Sequence, residues 1–313
     1  MPTSVVLIHD AAIDEYMSML LLSTMPGIEL VGSVIVSADC IGGPAMQAAW
    51  KLQQFIGQPE LGLGLSAARG LNPFPWAYRA DCVQQSAVAA LQTYGPNPHW
   101  PPYPDGDAWL QEFFLRLDGQ VTVLCLCPLT PLDMLLTRVP EAAEKIERLV
   151  WMGGAINVAG NLDPATLPPV VANPYAEWNV FWDPIAADHV LSSTTFPVVM
   201  FPLDITDQAK VAASFMQQLL VDGKTYRYAD LARQSYGLVG NEPFYDMWDV
   251  TATVYLARPD LFAPPTSMSL KVITDSDKSG AVVVSPQGRP VDVVLNFADL
   301  PGFYDYVIQQ FRR

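Results

Sequence analysis

The chain has 313 residues, half of them hydrophobic, and sets 17 Lys and Arg against 32 Asp and Glu for a formal charge of −15. That length supports a large core, expected here as one domain over residues 1–313, and no apolar run reaches the ~20 uninterrupted residues that cross a bilayer. Excess negative charge repels phosphate backbones and anionic lipid, so nucleic acid and membranes are not expected partners, whereas a neutral ligand or a cation is.

The N-terminus, MPTSVVLIHD, enters a strand-like run without the basic region and apolar core of a secretory signal. Cys40, Cys82, Cys125 and Cys127 form neither a CxxC metal pair nor a dense disulfide framework. Reduced thiols and a cytoplasmic location are expected.

Residues 5–8 (VVLI) read as a buried strand, 9–13 as a turn, and 14–25 as a helix with Met17, Leu20, Leu21 and Leu22 facing inward. Strand-like runs return at 30–36, 121–126, 149–152 and 198–203, separated by segments of helical patterning. Such alternation predicts an α/β fold: an open, mainly parallel sheet with helices on both faces and ligands beyond the carboxyl ends of the strands. Residues 269–274, 281–285 and 291–296, divided by turn residues, predict a small antiparallel C-terminal appendage. Pro-rich 95–105 and 163–174 read as loops over a site.

The chemistry-bearing residues follow the predicted strands. In HDAAIDEYMSMLLL, Asp10, Asp14 and Glu15 bring three like charges together, and a hard cation such as calcium relieves their repulsion. Carboxylates in a first helical turn also suit the positive end of the helix, so capping stands beside metal binding. Asp39 follows the second strand, in SADC. Trp76 and Tyr78 lie in the Pro-broken NPFPWAYR, where aromatic rings clamp a flat ligand or pack on the core. WMGGAINVAGN and AEWNVFWDP gather Asn161, Glu177 and Asn179, whose paired donors and acceptors grip sugar hydroxyls or cap turns. FYDMWDVTATVYL opens a helical pattern with Trp248 and Asp249, readable as core and cap or as a second acidic arm.

Together these segments resemble the nucleoside N-ribohydrolase family over nearly the whole chain, and within it the purine-preferring inosine-adenosine-guanosine branch. The family's opening signature, D-x-D-x-G-x-D-D, falls on Ile8, Asp10, Ala12, Asp14 and Glu15. MGGA with the following GN, AEWN and Asp183-Pro184 match more fully. Trp248 precedes Asp249 where the uridine-accepting branch has His, and Tyr78 falls where the purine branch has a stacking Trp.

The resemblance implies a nucleoside hydrolase-like fold with a Rossmann-like core, and calcium-dependent hydrolysis of purine ribonucleosides to free base and ribose. It implies calcium held by Asp10, Glu15, Asp249 and the Leu126 carbonyl, with Asp10 as general base towards a water there. Asp14, Asn161, Glu177 and Asn179 would hold the ribose. Asp39 would also meet the substrate, and Tyr78 and Trp248 would sandwich the purine. The transition state would be oxocarbenium-like, stabilised by the nearby carboxylates. A role in purine salvage and a homodimer or homotetramer are implied too. Ile8, Ala12, Glu15, Cys127 and Pro131 depart from the family's pattern and imply reduced or shifted activity. The alternative is a weakly active or non-catalytic nucleoside- or ribose-binding homologue. An Asp10 phosphotransferase nucleophile is disfavoured, because the second Asp of that chemistry is Ala12 here.

Overall fold

The computed structural model describes residues 2–76, 80–240 and 245–313. Its strands are β1 (Thr3–His9), β2 (Ile28–Ile35), β3 (Gly62–Leu65), β4 (Val121–Leu126), β5 (Ile146–Met152), β6 (Val198–Phe201), β7 (Thr266–Val272), β8 (Val282–Val284) and β9 (Arg289–Val293). They form one nine-stranded sheet in the order β3-β2-β1-β4-β5-β6-β9-β7-β8.

Strands β1 to β6 pair in parallel, as the βα alternation predicts. Helices cover both faces, so the central strands carry apolar side chains on both sides. Val5 and Leu7 enter one core while Val6 and Ile8 enter the other, and Leu124 and Leu126 oppose Val123 and Cys125 in the same way. The continuous run VVLI is the signature of that double burial. The expected antiparallel strands near the C-terminus are present: β7 pairs antiparallel with both β8 and β9. They are continuous with the main sheet, because β9 runs parallel to β6 through Val199↔Asp292 and Met200↔Val293.

Two local boundaries differ from expectation. The run at 198–203 stops as a strand at Phe201, because Pro202 has no N–H for the ladder, and Leu203–Thr206 turns into a short helix. The first helix spans Ile13–Leu22 and is buried on all sides, including Asp14, Glu15 and Ser18. It packs against the helix Trp248–Tyr255, joining two chain segments that carry acidic residues. Among the described residues no helix is long and apolar enough to cross a membrane.

Strand register sets the rim of the site. His9 pairs with Ile35 on one side and Leu126 on the other, so β2, β1 and β4 end level with one another. Asp10 and the segment holding Asp39 leave the sheet at this rim.

Candidate active site

The chain turns from β1 into the first helix through Ala11, whose φ of +68° lies in the left-handed region that side chains with a Cβ rarely adopt. Ala12 takes the N-cap position but has no side-chain oxygen to offer the helix. Glu15 supplies half of a capping box instead, its Oε1 accepting the Ala12 N–H at 3.1 Å. The extra methylene of Glu over Asp gives it that reach.

Asp10, Glu15, Asp249, Asp39 and Leu126 line one cavity of about 970 Å³. Asp10 Oδ2, Glu15 Oε2 and Asp249 Oδ1 are buried without a hydrogen-bond partner among the described residues. Burial, then the charge of Glu15 and a hydrogen bond shared with its side chain, and then Asp39 and Asp249, hold Asp10 well above the usual carboxylate range. Asp249 is raised by burial and then by Glu15 and Asp14, and burial pushes Glu15 up to about 7. His9 brings no positive charge, since burial pushes it down to about 3 and its Nε2 meets Ser33 Oγ at 3.0 Å. Hard, partnerless oxygens are the donor set a hard divalent cation takes. Among the described residues no three His, Cys, Asp or Glu side chains are already grouped as a metal-holding set. The donor chemistry fits a cation, and the carboxylates would have to draw together around one.

The structure does not bring Asp14 to the cavity wall with them. Asp14 is fully buried, and its carboxylate accepts Tyr236 OH at 2.7 Å and the backbone N–H groups of Asp249 and Val250 at 2.7 and 2.9 Å. The ribose contact expected of Asp14 gives way to a cap: Met247, at the N-cap of the helix Trp248–Tyr255, has no acceptor side chain, and Asp14 provides one from another helix.

On the sugar-reading side, Asn161, Glu177 and Asn179 do line the cavity together with Met152. They also hold the wall in place. Glu177 Oε2 accepts the Gly154 N–H and Oε1 the Asn179 N–H, both at 2.8 Å, while burial raises its carboxyl to about 7. Asn179 Nδ2 donates to the Met152 carbonyl at 3.1 Å, and Asn161 Oδ1 accepts the Trp178 N–H at 3.0 Å. Capping and cavity lining, alternatives in the sequence, coincide here.

Trp248 lines the cavity half-buried, with Tyr245 edge-on at 5.0 Å between ring centroids. Trp76 lines it too, packed on Phe74 and Trp178. Tyr78 lies outside the described residues. Of the two Pro-rich segments, 163–174 contributes Asp163 and Thr166 to the cavity. The described lining includes nothing from 95–105, where Trp100 packs between Trp50 and Tyr103 instead.

Comparison with known proteins covers nearly the whole chain. The sequence profile of the inosine-uridine preferring nucleoside hydrolases matches residues 5–305. The chain belongs to this family. The structure superposes on an inosine-uridine preferring nucleoside hydrolase from Bacillus anthracis with a TM-score of 0.87 and 30% identity, covering 99% of each chain. The non-specific ribonucleoside hydrolase RihC of Salmonella agona is 29% identical over 206 residues, 64% of this chain and 63% of its own length. An uncharacterised protein of Schizosaccharomyces pombe is 24% identical over 97% of both chains.

For a nucleoside hydrolase, an enzyme of N-glycosidic bond hydrolysis, the sequence reading overlooked several lining residues. Asp207 and Lys210 follow β6 and its short helix, and Asp246 and Tyr245 precede Trp248. The rule that active residues follow parallel strands would have pointed to Asp207. Cys127 is fully buried, its Sγ 3.7 Å from that of Cys125.

Proposed function

We propose that this nucleoside hydrolase is a calcium-dependent enzyme that cleaves the N-glycosidic bond of purine ribonucleosides, giving free base and ribose. The observation that carries the reading is the set of three partnerless buried oxygens on Asp10, Glu15 and Asp249 lining the same cavity as Trp248 and Glu177. Calcium, held there with the Leu126 carbonyl, would neutralise the crowded carboxylates and present oxygen-binding positions to a ribose.

Asp10 is the general base, taking a proton from the attacking water at the cavity floor. Asn161, Glu177 and Asn179 orient the ribose from a wall whose backbone they already fix. The charge that develops on the ribose ring faces Asp39 and the other carboxylates of the floor. Trp248 supplies a flat face for a purine, and the family resemblance gives Tyr78, outside the described residues, as its partner. Cytoplasmic purine salvage by a homodimer or homotetramer belongs to the same reading.

The test is ribose release from inosine and uridine by purified protein, with calcium and with a chelator. Roughly ten-fold faster release from inosine, abolished by chelation and by Asp10→Ala, is expected. Faster release from uridine removes the purine assignment, and chelator-resistant turnover removes calcium.

A second reading, nucleoside binding without turnover, draws on the bond from the Ala12 N–H to Glu15 Oε1, which occupies one oxygen of an intended ligand. Calorimetry separates the two: tight inosine binding with no ribose formed favours the binder, and multiple turnovers exclude it.

A further inference from the structure

A nucleobase departing with the electron pair of its glycosidic bond needs a proton, and the residue before Asp249 is Trp248, not a His that could give one. We propose that Asp207 is the proton donor to the departing base, acting from the cavity wall that it lines together with Trp248. The inference rests on the hydrolase reading above.

Position comes first. Asp207 follows the helix Leu203–Thr206 beyond β6, at the same carboxyl-end rim as Asp10, and opens onto the cavity. Trp248, which lines the same cavity, is next in sequence to Asp249, so Asp207 and Trp248 border the acidic floor without belonging to it. Glu177 spends both oxygens on backbone N–H groups, and Asp39 acts electrostatically on Asp10, Glu15 and Asp249. Asp207 stands instead beside the aromatic face.

Its surroundings then suit a proton donor. Asp246, Lys210, Asp204, Glu177 and the Trp248 side chain face it. Asp246 is buried and held by Lys210 at 3.5 Å, and Asp204 accepts the N–H groups of Ile156 and Asn157. Asp207 keeps an exposed face towards the cavity, and partial burial, then Asp246, raise it to about 6 against the opposing pull of Lys210 and Trp248. A carboxyl in that range carries a proton often enough near neutrality to serve as a general acid.

The step balances. The C1′–N bond breaks with its electrons passing to the base, and the Asp207 proton moves to a base nitrogen. Water oxygen bonds to C1′ while its proton passes to Asp10. Asp207 then regains a proton from solvent and Asp10 loses one, so nucleoside and water become base and ribose.

The experiment compares wild type and Asp207→Asn in the full chain with calcium, from pH 5 to 9, on inosine and on p-nitrophenyl β-ribofuranoside. The second substrate has a leaving group that departs without a proton. The expected result is a fall of about 100-fold in kcat on inosine, roughly ten-fold or more beyond any loss on the nitrophenyl riboside. The high-pH decline of the wild-type inosine profile should vanish in Asp207→Asn, and Asp207→Glu should restore part of the inosine rate together with that decline. Equal losses on the two substrates, or an unchanged inosine rate, overturn the proposal and leave the hydrolase reading intact. Wild type inert towards both substrates overturns both.

Discussion

Asp14 Oδ2 accepts the backbone N–H of Asp249 at 2.7 Å, tying together residues 235 apart in the chain. The same oxygen takes the N–H of Val250, and Oδ1 takes Tyr236 OH. One buried carboxylate thus caps the helix that presents Asp249 to the cavity. Asp14→Ala leaves three buried donors without acceptors and is expected to cost about 2–3 kcal/mol of stability. Asp14→Asn keeps an acceptor oxygen and should cost less than half as much. Denaturant unfolding measures both, and an alanine variant as stable as wild type would contradict the capping role.

The sequence showed where the site would form more clearly than what each residue would do there. The cavity positions of Asp10 and Asp39 were legible because a buried parallel strand is a continuous apolar run and its carboxyl end marks the rim, whereas Leu126 came only through the family resemblance. Strand β3 was not, because GLGL lacks the β-branched residues that mark a strand. Its glycines serve close approach: a Cβ at Gly62 would sit 2.4 Å from the Trp109 ring, and one at Gly64 2.4 Å from Gly106 Cα. That Asp14 caps the helix Trp248–Tyr255 was not legible for a related reason. Its partners lie on a helix at the far end of the chain, and local spacing carries no sign of them.

Stability should respond to pH and calcium together. Asp14, Glu15 and Glu177 titrate near 7 in the folded protein, and Asp10 and Asp249 well above their usual range. In the unfolded chain these groups titrate near 4, so between about pH 4.5 and 7 the folded state binds more protons and stability falls as pH rises. Below that window the groups are protonated in both states and the penalty is absent. Calcium offsets the penalty where the carboxylates are ionised. Thermal unfolding in chelator should show a midpoint that drops from pH 5 to 7, and calcium should raise it more at pH 8 than at pH 5. A midpoint rising from pH 5 to 7 in chelator would contradict this.

Gly154 links the β5 rim to the sugar-reading wall. It sits at a φ of +81°, donates its N–H to Glu177 Oε2, and a Cβ there would approach Met200 Cε to 2.4 Å. Gly154→Ala therefore strains the backbone and crowds Met200, at a cost of about 1–3 kcal/mol. By displacing Glu177 it should also raise KM for inosine more than it lowers kcat. Steady-state kinetics check this, and a variant with unchanged KM would show that Glu177 does not depend on Gly154 for its position.

Asp10 sets activity against stability. Its carboxylate is buried among Glu15, Asp39 and Asp249, and its Oδ2 has no hydrogen-bond partner among the described residues. Asp10→Asn removes one like charge from a buried cluster of carboxyl groups at nearly constant volume. In chelator at pH 8 the variant should therefore be more stable than wild type, by on the order of 1–2 kcal/mol. The amide cannot take a proton from water, so kcat on inosine should fall by about 10²–10⁴-fold. Calcium should stabilise the variant less than wild type, because an amide oxygen carries no full charge. Unfolding midpoints with and without calcium, set beside kcat, test all three. A variant that loses stability in chelator would show that the Asp10 charge is satisfied within the protein, and so would remove the reason for placing a cation there.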